Sequence, residues 1–334
     1  VEKGTEIMKN SAFRTFLATL LCCVVSSLVL AADYQLKLIK KFYSIGTASI
    51  NGTYYPTGNS IARILSSNTK GLVAIAEPTA GSLANIEYLR RGQIDLALSQ
   101  SDVAWQAYEG NSDTKFRELR VITSLYSEVI QLIVHDSSEI KDLSDLKGKR
   151  IAVGEKDSGS AASIMLVLKA AGLSETDYTI VYERFTRATE SLLDGYVDAV
   201  YYAGAVPADG ISRLAAKTPI RLVGIPTDVR AKLLAERPYF TSESIFTNSY
   251  KNQKNDINTI GFRALFVTTE RLSANEVFNM LQAIYDNPNA GASEGIPDLK
   301  LHLSEALKGV KLEMLHEGAR RFFAMHGLIS PTIK

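Results

Sequence analysis

The sequence predicts an α/β protein of two doubly wound lobes, each a mixed sheet with helices on both faces, joined by a two-strand hinge. Three observations predict it. Short β-type runs alternate with stretches of helical spacing, the order that builds largely parallel sheets. That order begins again near Leu125. The motif L-x-x-G-x-[VI]-D also recurs at the matching place in each half, as Leu89, Gly92, Ile94 and Asp95 and then as Leu192, Gly195, Val197 and Asp198. Each copy reads as a helix closed by a glycine and dropping into an Asp-led strand. A chain of 334 residues, 46% of them apolar, is long enough for two cores.

In the first half, YQLKLIKKFYSIG reads as a strand, and Ile61, Ile64 and Leu65 give the next segment a helical face. GLVAIAEPTAG is a second strand stopped by Pro78 and Gly81. SLANIEYLRRG is a helix with Leu83, Ile86 and Leu89 inward, and QIDLALSQSD is a third strand. In the second half VIQLIVH and KRIAVGEKDSG begin as strands, SAASIMLVLKAAGL is a helix and YTIVYERF a strand. TRATESLLDG is then a helix, YVDAVYYAG a strand and PIRLVGIP another, before a polar, turn-rich stretch over residues 238–259. TIGFRALFVTT is a strand, and Val277, Met280, Leu281, Ile284 and Tyr285 mark a helix by their spacing.

Placed back on the first lobe, that helical tail makes the chain cross between lobes twice, near Leu125–Glu128 and near Asn258–Gly261. The expected segments are residues 33–125 for the first part of lobe I, 126–257 for lobe II and 258–334 for the return to lobe I. Two crossings make a hinge, and a hinge between lobes makes a cleft that closes on a ligand.

Residues 8–32, MKNSAFRTFLATLLCCVVSSLVLAA, have the layout of a secretory signal peptide. Lys9 and Arg14 precede an apolar run from Phe16 to Leu30, and small Ala31 and Ala32 follow it. The run is shorter than the roughly 20 apolar residues of a spanning helix. Both cysteines, Cys22 and Cys23, lie inside this leader. An exported, cleaved chain therefore has no disulfide, thiolate metal site or cysteine nucleophile, and the periplasm is the expected location. A formal charge of +1, from 37 basic and 36 acidic residues, provides no field to attract nucleic acid or an anionic membrane surface. A small-molecule partner is expected instead.

At three places a strand turns into a helix through small, hydroxyl-bearing residues: GTASINGTYYPTG, TAGSLANI and KDSGSAASI. A helix start carries unpaired N–H groups and partial positive charge, so such turns hold a carboxylate or phosphate without a lysine. Taken singly, Ser82 or Ser160 is an ordinary N-cap. Three such turns at the carboxyl ends of strands, facing one cleft, point to an anion site.

These blocks, with SLANIEYLRRGQIDLALSQSD, LKGKRIAVGEKDSGSAASIMLVLKAAGL, LLDGYVDAVYYAGAVP and IGFRALFVTTERL, resemble the TAXI family over nearly all of residues 36–290. That family comprises extracytoplasmic solute receptors of one branch of TRAP transporters. The resemblance implies a type II periplasmic-binding-protein (Venus flytrap) architecture. It also implies capture of a small organic anion, a dicarboxylate such as glutamate or 2-oxoglutarate, and its delivery to the TRAP permease subunits. Carried over by motif, the ligand-binding residues are Gly46, Thr47, Tyr54 and Tyr55 in the first turn, Ser82 in the second, and Gln100 and Ser101 after the third strand. The second lobe adds Ser158, Gly159, Ser160, Tyr202 and Gly204.

Ser158 to Ser160 would hold a carboxylate through backbone and hydroxyl donors. The two adjacent tyrosines, taken to lie in a loop, would place one ring in the cleft and one outside. The family's usual P-G-S-G-T turn is KDSGSAA here, which sets Asp157, with Lys156 next to it, beside the proposed anion site. Glu128, at the first crossing, has two readings, a partner for a ligand amine or for a neighbouring arginine, and is not among the expected site residues. No cofactor or metal is indicated, and a monomer is expected.

Two other readings share the architecture: a binding protein of an ABC importer or sensor, and an exported enzyme. The sequence has no HExxH or Walker signature. Its histidines are His135, at the end of VIQLIV and expected to face solvent, and His302, His316 and His326 in the C-terminal helical part.

Overall fold

Strands β1 (Lys41–Gly46), β2 (Leu72–Glu77) and β3 (Leu96–Gln100) pair in parallel, in the order β2-β1-β3. Helices α1 (Tyr54–Asn68) and α2 (Ser82–Arg90) connect them, and α3 (Ser101–Glu109) follows β3 directly. The second half repeats this plan: β5 (Arg150–Ala152), β6 (Thr179–Val181) and β7 (Ala199–Gly204) pair in parallel in the order β6-β5-β7. Here α4 (Gly159–Ala170) and α5 (Phe185–Leu193) are the crossovers, with α6 (Asp209–Lys217) after β7. The computed structural model describes residues 41–50, 52–110, 115–287 and 301–330; the leader expected at residues 8–32 lies outside these.

The repeated motif does the same work in both halves. Gly92 and Gly195 close α2 and α5 at φ of 67° and 74°, a conformation that favours glycine. Asp95 then accepts the Ser44 N–H of β1 at 3.0 Å, and Asp198 accepts the Arg150 N–H of β5 at 2.7 Å. In each half the aspartate pins the start of one strand to its neighbour.

Two long strands, β4 (Leu119–His135) and β10 (Ile257–Thr269), run antiparallel through the middle. β10 pairs with β3 through Ala264–Val267, and β4 pairs with β7 through Val129–Ile133. The whole is one ten-stranded mixed sheet, β2-β1-β3-β10-β4-β7-β5-β6, with β8 (Ile220–Val223) on β4 and β9 (Thr241–Ile245) on β10. The expected pair of mixed sheets is thus continuous in hydrogen bonding, because β4, with 17 residues, and β10, with 13, are long enough to serve both halves. Strand β9 lies inside the stretch read as polar and turn-rich.

Apolar side chains fill both faces at both ends. On the β1–β3 side, Ile45, Leu65, Leu98 and Phe266 pack beneath α1, α8 (Ala274–Asp286) and α9 (Glu317–Met325), whose Ile284, Phe322 and Phe323 are fully buried. Ile86, Leu89, Val121 and Leu265 fill the opposite face. On the β5–β7 side, Leu132, Val134, Ile151 and Phe262 pack with α4 and α7 (Thr227–Glu236), while Ile133, Val200 and Phe185 pack with α5 and α6. The alternation of Leu132, Ile133 and Val134 between faces is the period-2 pattern of a strand buried on both sides. Each such side chain contributes about 1.5–3 kcal/mol by leaving water. Leu83, read as inward, is 40% exposed; α2 buries Ile86 and Leu89 and turns Leu83 outward.

Candidate functional site

The strand-to-helix turns of both halves meet over the middle of β4 and enclose a cavity of about 80 Å³. Its wall takes Thr53 and Tyr54 from the start of α1, Gly81 and Ser82 from the start of α2, and Gln100 from the end of β3. The other half contributes Ser158, Gly159 and Ser160 from the start of α4, Glu155, Arg184 and Phe185 from neighbouring turns, and Tyr201 and Tyr202 from β7. Glu128 of β4 lines it too.

The starts of α2 and α4 abut. Gly81, with φ of 121°, sits so close to Ser158 that a Cβ on it would lie 3.3 Å from the Ser158 Cα. Ala84 N–H donates to the Asp157 carbonyl at 3.2 Å, and Thr53 Oγ1 lies 3.0 Å from the Tyr202 hydroxyl. A Cβ on Gly159 would clash with Gln100 Oε1 and stand 2.8 Å from Ser82 Oγ. Ser158 caps α4 through the Ala161 N–H at 3.1 Å, and Ser160 Oγ accepts from the Ala203 N–H at 3.3 Å. Ser82 Oγ accepts from the Gln100 N–H at 3.1 Å. Two helix N-termini, each with donors and positive partial charge, therefore face one small volume.

Seven of the twelve expected residues come together in this wall: Tyr54, Ser82, Gln100, Ser158, Gly159, Ser160 and Tyr202. The other five stand behind it. Thr47 is buried, its hydroxyl donating to the Glu77 carbonyl at 2.6 Å. Gly46 ends β1 against Asn85, whose amide group would collide with a Cβ there. Ser101 Oγ accepts from the Arg263 N–H at 3.1 Å, and Gly204 leaves room for the Tyr202 ring. Tyr54 and Tyr55 occupy the first turn of α1, not a loop; Tyr54 is in the wall and Tyr55 is half-buried outside it.

Sequence reasoning missed Thr53, Glu155, Arg184, Phe185 and Tyr201. The turn from β6 into α5 is a fourth strand-to-helix turn, but Glu183, Arg184 and Phe185 are neither small nor hydroxyl-bearing, so only its place at the carboxyl end of a strand marks it. Arg184 pairs with Glu155 at 2.7 Å, and Phe185 stacks on Tyr202 with ring centroids 4.0 Å apart. Beyond this ion pair lies an outer hollow of about 650 Å³ that shares Ser49, Ala80, Glu155 and Arg184 with the inner wall.

Glu128 is the deepest charge in the wall, 2% exposed, and its Oε2 accepts from the Tyr54 hydroxyl at 2.7 Å. Burial pushes its carboxyl up to about 8, against the pull of the Tyr54 hydrogen bond, with the Asp102 charge adding to the rise and Arg263 opposing it. Asp102, in the first turn of α3, is fully buried, and neither of its oxygens makes a well-formed hydrogen bond. Burial raises it to about 7, while the amides of its own turn pull weakly the other way. Arg263, also buried, donates to Ser124 Oγ at 2.9 Å, Ser127 Oγ at 3.1 Å and the Leu125 carbonyl at 3.2 Å.

No histidine lines the cavity. His135, expected at solvent, is half-buried, its Nε2 2.8 Å from the Leu192 carbonyl; His316 caps α9 by accepting from the Gly318 N–H at 3.1 Å. Among the described residues there is no cluster of three His, Cys, Asp or Glu side chains able to hold a metal, and no helix long and apolar enough to cross a membrane.

Among solved structures, the chain is similar to the periplasmic aliphatic sulphonate binding protein SsuA from Escherichia coli, at 16% identity over 86% of this chain and 83% of that one, with a TM-score of 0.43. It is also similar to a putative L-cystine ABC transporter from Listeria monocytogenes, at 14% identity over 75% and 92%, with a TM-score of 0.48. A family profile matches residues 45–327, and by that match the chain belongs to the NMT1-like family.

Proposed function

We propose that this chain is a periplasmic solute receptor, a monomer of the TAXI type, that captures a small organic anion and hands it to the permease subunits of a TRAP transporter. The single observation that carries the reading is the pair of helix N-termini, α2 and α4, brought face to face across a small cavity at the middle of two connecting strands. Main-chain N–H groups and the hydroxyls of Ser82, Ser158 and Ser160 supply donors there, and the rings of Tyr54, Phe185 and Tyr202 supply apolar walls. Such a site suits binding and release: its serine hydroxyls accept from backbone N–H groups and no histidine stands beside them. A benzene-sized guest fills roughly 150 Å³, so a metabolite enters only when the halves part, and closing around it completes the donor set.

The test is a thermal-shift screen of glutamate, 2-oxoglutarate, C4-dicarboxylates and sulfonates. An acid at ~100 times its dissociation constant adds about 2.7 kcal/mol to the folded state and raises the melting temperature. No shift with any of them, together with turnover of a hydrolysable ester, would replace the receptor reading with an enzyme.

A further inference from the structure

The cavity wall holds a buried carboxylate, Glu128, that no cation of the described residues reaches within ion-pair distance. Glu128 Oε2 takes the Tyr54 hydroxyl, and among the described residues no other hydrogen bond or ion pair reaches this side chain. The residue lines the cavity wall. Arg263, the buried guanidinium of the adjoining strand, is committed elsewhere: three hydrogen bonds go to Ser124, Ser127 and Leu125, and its ion pair at 3.6 Å is with Glu305. Arg184, on the far wall, is held by Glu155.

A carboxylate withdrawn from water to this extent costs several kcal/mol unless a cation or several donors meet it. Among the described residues Arg263 acts on Glu128 only through space, with no ion pair or hydrogen bond to it. A second acceptor on the same wall, Gln100 Oε1, is buried without a donor. Around both stand Tyr54, Tyr201, Tyr202 and Phe185, whose ring faces attract a positive charge. Donors gather where α2 and α4 begin, and Gln100 Oε1 lies among them, against the position a Cβ on Gly159 would take.

We infer that Glu128 is the counter-ion for a protonated amine on the ligand, so that the receptor takes a zwitterionic amino acid in preference to a plain dicarboxylate or a keto acid. The inference rests on the receptor reading and narrows its ligand class. The acid group of the ligand lies at the helix starts, and its ammonium lies against Glu128. The raised carboxyl fits this assignment, because a cation beside Glu128 restores its ionised form. The competing arrangement, a Glu128 that stays protonated and donates to an anionic ligand, makes the opposite prediction for an amide in its place.

The test is calorimetric titration of the whole protein with matched probes that differ only in the amine: L-glutamate and 2-oxoglutarate, L-alanine and pyruvate, L-leucine and 4-methyl-2-oxopentanoate. The amino member of at least one pair is expected to bind tenfold or more tightly than its keto partner. Glu128→Gln, which keeps shape and hydrogen bonding but not charge, is expected to lose at least tenfold on the amino member and little on the keto member, with an intact melting transition. Equal or tighter binding of the keto members, or a Gln variant that keeps the preference, overturns the inference and leaves the receptor reading standing. Should neither member of any pair bind while a C4-dicarboxylate or sulfonate does, the inference is overturned and the receptor reading stands; should none of these acids bind, both fall. The wild-type preference needs no variant, and Glu128→Asp, which withdraws the charge by one methylene, is expected to lose at least threefold on the amino member if the Gln protein does not fold.

Discussion

Asp102 shows how a single side chain makes the stability of this protein depend on pH. Its carboxyl moves from 3.8 to about 7 on burial, so the folded protein holds a proton that the unfolded chain releases. Stability on its account is fully present below about pH 4 and is lost as pH rises through about 7. At 1.36 kcal/mol per pH unit the loss is about 4 kcal/mol. Glu128 acts in the same direction over 4.5 to about 8. Asp102→Asn, which cannot ionise, is expected to melt higher than the wild type at pH 8 and to differ little at pH 4. Equal melting temperatures at pH 8 would show that Asp102 is not buried as a carboxylate.

At the scale of elements, Asn85 ties three of them together. Its Nδ2 donates to the Thr47 carbonyl at 2.7 Å and the Leu98 carbonyl at 2.8 Å, and its Oδ1 accepts from the Thr79 hydroxyl at 2.7 Å. One buried amide on α2 thus fixes the ends of β1 and β3 and the turn between β2 and α2. Asn85→Ala is expected to cost about 2–4 kcal/mol in urea denaturation and to weaken ligand binding by loosening two walls at once. A variant with wild-type stability would mean the network is not formed.

Much of this scale was legible in the sequence, because the Gly–x–x–Asp ending of α2 and α5 is a local signal that two strands in each half obey. Strand β9 was not legible. Its Thr241, Ser242, Glu243 and Ser244 lie at least partly open to solvent and only Ile245 is buried, so no alternation marks it. Nor could local signals pair Tyr54 with Glu128, or Gly159 with Gln100; those contacts depend on how β1, β4, β7 and β10 are ordered. Thr47 and Ser101 carry the site's residue types, yet they turn toward backbone, and only the three-dimensional placement separates such residues from the wall itself.

For the whole molecule, the decisive feature is how closely the two halves meet at Gly159. Any side chain there collides with Gln100 and Ser82 from the opposite half. Gly159→Ala is therefore expected to hold the halves apart: ligand affinity drops tenfold or more, small-angle scattering with ligand shows a larger radius than the wild type, and the ligand-free melting temperature changes little. Wild-type affinity in this variant would mean that binding does not need the halves to meet here.

The route of the chain also governs how it emerges from the ribosome. The apolar face of α1, with Ile61 and Leu65, is synthesised early, but Val277, Met280, Ile284, Phe322 and Phe323, which cover it, come at the far end. While everything between is being translated, those early side chains have only the strands β1–β3 to pack against and lack their helical cover. The first core of the nascent polypeptide thus stays uncovered on one face until α9 is released.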